Sequence, residues 1–277
     1  MNIFKKIWYS IGNTKKYEEM VEQGLLKALQ YITILIILFS FIMSGLIIYK
    51  MDENYKEQQS YIQENIPELS YKEGVLKFET QNEIILSDEI VKKTIGGKVI
   101  INTNDYSEEL KNTYTEQITN EGGYGAILFS KSIILIITEN GQVQTNEYEY
   151  TELFKQYLGE DVEFDKQGVI TYLDNIPYMQ YFIMYTVTYF LAMFIIMAVN
   201  IVVMSLIGLL YVKLTKIDVK YKTILSISIY ANTIGILLNT IYYTIQAIFG
   251  IAIPYFDVIY ISIPYIYLIK TLIEKNK

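Results

Sequence analysis

Four stretches of this chain run long without a charged side chain. Ala28 to Tyr49 is uncharged between Lys27 and Lys50, and Ile176 to Val212 is uncharged up to Lys213. From Thr223 to Phe256 no charge appears, and after Asp257 another uncharged run reaches Ile269. At about 1.5 Å rise per residue, a helix of roughly 20 such residues crosses the roughly 30 Å hydrocarbon core of a bilayer. The pattern therefore predicts a membrane α-helical bundle of four transmembrane helices: one over residues 28–50, then three in a C-terminal membrane domain, residues 176–277, at about 178–212, 224–249 and 254–270. The fourth is short and holds Pro264. Residues 1–27 place Ile3, Phe4, Ile7, Trp8 and Ile11 at helical spacing with Lys5 and Lys6 between them, as in an amphipathic helix lying in the membrane interface. The long segment before the first span, its long apolar core and the lack of a small-residue site after Tyr49 argue for an anchor that stays attached.

Between the first two spans the period changes. Asp52 to Asn65 continues the first helix, with Tyr55, Ile62 and Ile66 on one face and Pro67 as its stop. Short strands follow: Leu76, Phe78 and Thr80 alternate with Lys77 and Glu79, and Val99 to Ile101, Ala126 to Phe129 and Ile133 to Thr138 are compact apolar runs. Asn140-Gly141 favours a tight hairpin into Val143 to Tyr148. Asp105 with Glu108 reads as a capping box opening a helix through Leu110, Tyr114 and Ile118 that Gly122-Gly123 ends; Thr151 to Leu158 is a shorter helix stopped by Gly159. Residues 51–175 thus read as an inserted α+β domain.

Charge orients these parts. The net charge of −7 combines 24 Asp/Glu against 10 Lys in residues 51–175 with 13 Lys against 6 Asp/Glu elsewhere. Lysine-rich flanks mark the cytoplasmic side, so both termini are expected inside and the acidic domain is expected to be extracytoplasmic, in a multi-pass protein of the cell membrane. An acidic block excludes nucleic acid as a partner. Every basic residue is lysine, and the chain contains neither histidine nor cysteine. Histidine or cysteine triads, His-ligated zinc, thiolate metal sites, disulfides and bidentate guanidinium recognition are all excluded. No metal, cofactor or catalytic set is expected, and the chain reads as a non-enzyme.

Each span carries a narrow stripe of small or polar residues. In the third, Ser228, Asn232, Gly235, Asn239, Tyr242 and Gln246 recur at spacings of four and three. The second offers Tyr189, Met193, Met197, Asn200, Met204 and Gly208, and the first Thr33, Ser40 and Ser44. Lipid does not drive helices together, so such stripes form packing surfaces; the competing reading is a polar path for a small solute or ion. Trp8 and the one-faced series Tyr178, Tyr181, Tyr185 and Tyr189 suit the wet interface as depth anchors. The carboxylates Glu160, Asp161, Glu163 and Asp165 could offer oxygen ligands, but Gly168 stands too late for a calcium loop, and a solvated surface is the simpler reading. Asp88-Glu89 and Glu108-Glu109 are carboxylate pairs without a known separation across a cleft, and no S-x-x-K motif occurs.

Three segments, Asn2-Ile3-Phe4-Lys5-Lys6-Ile7, Gly97-Lys98-Val99-Ile100-Ile101-Asn102-Thr103 and Ser228-Ile229-Tyr230-Ala231-Asn232-Thr233, resemble an uncharacterised polytopic membrane-protein family of Gram-positive bacteria, some of whose members are labelled maltodextrin-utilisation proteins. Where that family tends to have an Asp-Thr pair this chain has Asn102-Thr103, and Gly235 stands near a position where a proline is usual. The resemblance implies one N-terminal span, an extracytoplasmic domain and clustered C-terminal spans. Two functions are expected from these readings, ahead of a membrane-embedded hydrolase as the least favoured alternative. The first is an accessory or sensory protein whose ectodomain binds a ligand or a membrane or envelope protein partner. The second is an accessory role in maltodextrin-type uptake beside a permease.

Overall fold

The computed structural model describes residues 1–80, 82–103, 106–120, 124–139, 142–157 and 162–275. In chain order these form α1 (Ile3–Gly12), a 3-10 turn (Thr14–Lys16), α2 (Tyr17–Val21) and α3 (Leu25–Asn65). Then come β1 (Leu69–Lys72), β2 (Val75–Phe78), β3 (Ile84–Leu86), α4 (Glu89–Ile95), β4 (Gly97–Ile101) and α5 (Glu108–Asn120). They are followed by β5 (Tyr124–Leu128), β6 (Ser132–Glu139), β7 (Gln142–Glu149), α6 (Tyr150–Tyr157), β8 (Phe164–Asp165) and α7 (Lys166–Asp174). Three long helices complete the chain: α8 (Tyr178–Thr215), α9 (Tyr221–Phe249) and α10 (Phe256–Glu274). The chain divides into two compact units, residues 1–51 with 177–277, and residues 52–176.

Among the described residues of the first unit, four helices are long and apolar enough to cross a membrane: α3, α8, α9 and α10. Helix α9 is central, with 72% of its most apolar window buried against 33% for α8 and 28% for α10. The reason lies in its composition: the span with the most hydrogen-bonding side chains is the one that needs neighbours. The outward faces of α3 and α8 carry Ile34, Ile195 and Leu210, all more than half exposed. Apolar surface of that extent suits a hydrocarbon solvent. Helices α9 and α10 meet at Gly235, where an added Cβ would lie 2.9 Å from the Tyr260 carbonyl oxygen and 3.2 Å from Pro264. Helix α1 starts under the Asn2 side chain, which accepts the Lys5 N–H at 2.9 Å. Its Phe4 and Trp8 are each 73% exposed, whereas Lys6 and Ser10 on the other side are buried. The Lys6 ammonium lies 5.6 Å from the ring centres of both Tyr31 and Tyr230, a cation over two aromatic faces.

Among the described residues the second unit holds two sheets. One has the order β2-β1-β8, the other β3-β4-β5-β6-β7. In the larger sheet β4 and β5 run parallel, joined by the α5 crossover, and the remaining pairs are antiparallel. The parallel pairing fixes Gly97, opposite Tyr124, since a Cβ there would sit 1.6 Å from the Tyr124 carbonyl oxygen. Helix α5 covers one face, with Tyr114 and Ile118 packed on Ile100, Ile127, Phe129, Ile134 and Ile136. On the other face α4 and Tyr61 of α3 pack against Val99, Ile101 and Ala126.

Several sequence expectations are refined here. Asp105, Gly122-Gly123, Asn140-Gly141, Leu158-Gly159, Glu160 and Asp161 lie outside the described residues. Ser107, not considered as a cap, accepts the Leu110 N–H at 3.1 Å. Asp165 is a helix cap as well as a surface acid: its carboxylate accepts the Gly168 N–H at 2.7 Å and opens α7. The glycine judged too late for a calcium loop is therefore the capped residue. Glu163 lies 3.9 Å from the Lys72 ammonium.

Candidate functional site

The polar residues of the first unit converge where α8, α9 and α10 pack. Asn232 is fully buried on α9. Its amide nitrogen donates to the Ser228 carbonyl at 2.8 Å and to the Met204 sulfur at 3.1 Å, and its carbonyl accepts from the Asn200 amide at 2.7 Å. Asn200 in turn accepts the Tyr265 hydroxyl of α10 at 2.9 Å. One chain of hydrogen bonds thus ties three helices, and low surrounding polarity strengthens it.

Two further ties flank it. Tyr189 donates to the Asn239 side chain at 3.0 Å. Tyr242 stacks on Phe256 with ring centres 3.8 Å apart, and its hydroxyl accepts the Ile253 N–H at 2.8 Å. Ser228 turns back on its own helix, donating to the Ile224 carbonyl at 3.0 Å, and Gly235 supplies the close approach to α10. Gln246 stands apart near the end of α9, half-buried, its carbonyl accepting the Gly250 N–H. Among the tyrosines singled out in the sequence, Tyr181 and Tyr185 stack with centres 6.4 Å apart and Tyr178 is partly buried. Tyr189 departs from that series by turning its hydroxyl into the bundle, because Asn239 offers an acceptor there.

Sequence reading missed Tyr265. The signal was a tyrosine adjacent to Pro264 inside an uncharged run, a position where a hydroxyl needs a partner on another helix. It also missed the tie from the first span, where the Tyr31 and Thr233 hydroxyls share a hydrogen bond at 2.9 Å and the Tyr31 and Tyr230 rings lie 5.3 Å apart. Among the described residues no group of three or more acidic side chains is placed to hold a metal ion.

In the second unit, carboxylates pair with neighbours. Asp88 accepts the Tyr61 hydroxyl at 2.6 Å, and burial, then Asp88, pushes the Tyr61 phenol up to about 12. Glu147 accepts from Lys111 at 2.7 Å and Ser132 at 3.0 Å. Burial alone would push its carboxyl up, but these donors outweigh it and the net shift is below the ordinary 4.5. Asn102 donates to the Tyr114 hydroxyl at 3.0 Å, which donates to Glu83 at 2.7 Å.

Four membrane-length helices among the described residues, three of them tied by a buried chain of hydrogen bonds, with an α+β unit between the first and second in sequence, are compatible with a multi-pass membrane protein. The chain belongs to the family described as Protein of unknown function (DUF1189), whose model matches residues 4–272. No curated protein and no solved structure matches it.

Proposed function

We propose that this is a non-enzymatic accessory or sensory protein of the cell membrane. Residues 51–175 lie outside, both termini lie in the cytoplasm, and the outer unit receives a ligand or a membrane or envelope protein partner. The observation that carries this reading is the continuity of α3. Its first half puts Tyr31, Ile32, Leu35 and Ile36 in the core of the first unit, and its last turns put Tyr61 in a core of the second. A change in packing at Tyr61 therefore acts on a helix to which both units contribute residues. The polar seam serves helix packing in this reading, since its amides and hydroxyls are occupied by one another.

Because the chain has no cysteine, one introduced thiol reports alone. In the full chain carrying Ser44→Cys, Tyr61→Ala should change the alkylation rate at position 44. In a chain also carrying Asn54→Pro, which interrupts the helix, Tyr61→Ala should add no further change. An unchanged rate in the intact helix would refute the relay.

A second reading, an accessory role in maltodextrin-type uptake in a Gram-positive cell, is favoured by one feature. A recess of about 730 Å³ in the second unit is walled by Phe154, Phe164 and Tyr172 beside Lys72 and Glu163, a pairing of aromatic faces and polar groups suited to a sugar. Crosslinking in intact cells followed by purification of the tagged protein separates the two: recovery of a sugar permease supports uptake, and recovery of envelope or signalling proteins supports the sensory role.

A further inference from the structure

The two faces of the larger sheet are covered unequally. Under α5, Ile100, Ile127, Ile134 and Ile136 are 0–1% exposed. On the opposite face a cavity of about 480 Å³ remains among α3, α4 and the sheet, walled by Ile62, Ile66, Phe78, Val91, Ala126 and Ile133. Among the described residues, no charged side chain lines it. Its polar members are Gln58, Tyr61 and Thr94, and the Tyr61 hydroxyl is already held by Asp88. Ile95 and Leu135, 41% and 37% exposed, mark its open side.

We propose that this cavity binds a single acyl chain, with any headgroup left outside. Its volume lies in the range of small-molecule sites, roughly 300–1,000 Å³, and is about three times that of a 150 Å³ apolar cavity that takes benzene. Apolar walls hold water poorly, and unfilled apolar volume forfeits packing that a marginally stable domain needs. A charged ligand finds no counter-charge there, which leaves hydrocarbon as the matching chemistry. A chain with four membrane-length helices works beside an abundant source of it. The proposal rests on the reading of the second unit as a ligand-receiving domain and names its ligand class. It also gives the relay its input, because Ile62 belongs to α3 and Ile66 follows directly on its last residue, Asn65.

The test uses the full chain in nanodiscs. Trp8→Phe removes the native tryptophan and Phe78→Trp places a new one at the cavity wall. Brominated palmitate methyl ester and a brominated phospholipid are the quenchers. Saturable quenching is expected at position 78 and not in a chain whose tryptophan is placed instead by Val143→Trp, exposed on β7 and paired with Thr138 on the opposite face of the sheet from Ile133. Quenching by the ester alone identifies a free chain, and quenching by both identifies a lipid. Ala126→Phe, which fills the cavity, and Thr94→Trp, read with Phe78→Tyr and a dansyl acyl ester, should each weaken binding about tenfold or more. If Ala126→Phe perturbs folding by circular dichroism, Thr94→Trp at its exposed position decides. Quenching that rises linearly, matches the Val143→Trp control or survives both cavity substitutions would overturn the proposal. Saturable binding with no effect on Ser44→Cys alkylation would refute the relay and leave the site standing.

Discussion

Replacing Asn232 by leucine exchanges a fully buried amide for an apolar side chain of similar size. The loss falls chiefly on Asn200, whose amide hydrogens no longer meet the Asn232 carbonyl 2.7 Å away, while its own carbonyl keeps the Tyr265 hydroxyl. A buried donor left without a partner costs about 1–3 kcal/mol, and interhelical hydrogen bonds measured in membranes average about 0.6 and reach about 1.7 kcal/mol. Asn232→Leu should therefore destabilise the bundle by about 1–2 kcal/mol. Asn200→Leu strands both the Asn232 carbonyl and the Tyr265 hydroxyl and should cost at least as much. The double variant strands only the tyrosine, so it should fall short of the sum by about 1 kcal/mol. Reversible unfolding of the four proteins in mixed micelles, followed by circular dichroism, reads the cycle. Additivity within about 0.3 kcal/mol would refute the coupling. An unfolding midpoint unchanged by Asn232→Leu would favour a solute path over packing.

Further outcomes follow from the geometry. Gly235→Ala brings a methyl group against the Tyr260 carbonyl and should cost about 1–3 kcal/mol in the same unfolding assay, whereas Gly12→Ala meets open space and should not. Asp165→Ala removes the cap of α7 and should cost about 1 kcal/mol, seen as faster amide exchange at Gly168. Because Glu147 has a carboxyl held below its ordinary 4.5, its contribution is present above that value and is lost as the pH falls through the depressed one. Melting temperature should thus drop less steeply below pH 4.5 in Glu147→Gln than in the unaltered chain; parallel acid curves would remove Glu147 from the account.

The four membrane-length helices were legible because absence of charge over some twenty residues is a signal that needs no partner to interpret. Pro67 ended α3 as its chemistry requires. What the sequence withheld depends on distant pairings. Strand β1 pairs with β8 across nearly a hundred residues, and neither has a long enough alternation to announce itself. Helix α4 is only seven residues, and its register is set by Val91 packing on Val99, Ile101 and Ala126. The polar stripe of α9 was visible as spacing, but its partners were not: Asn200 was on a stripe of its own and Tyr265 on none. Lys6 shows the opposite failure. Its place among the apolar positions of α1 suggested a helix lying in the membrane interface and gave no sign of a partner, yet two tyrosine rings from α3 and α9 receive it.

The proposed function requires that the chain cross the membrane four times with its α+β unit outside. In living cells, single cysteines introduced at Tyr148 in β7 and at Lys216 after α8 can be treated with a membrane-impermeant maleimide. The account predicts labelling of Tyr148→Cys in intact cells and of Lys216→Cys only after the membrane is permeabilised. Labelling of both in intact cells, or of Lys216→Cys alone, would contradict it.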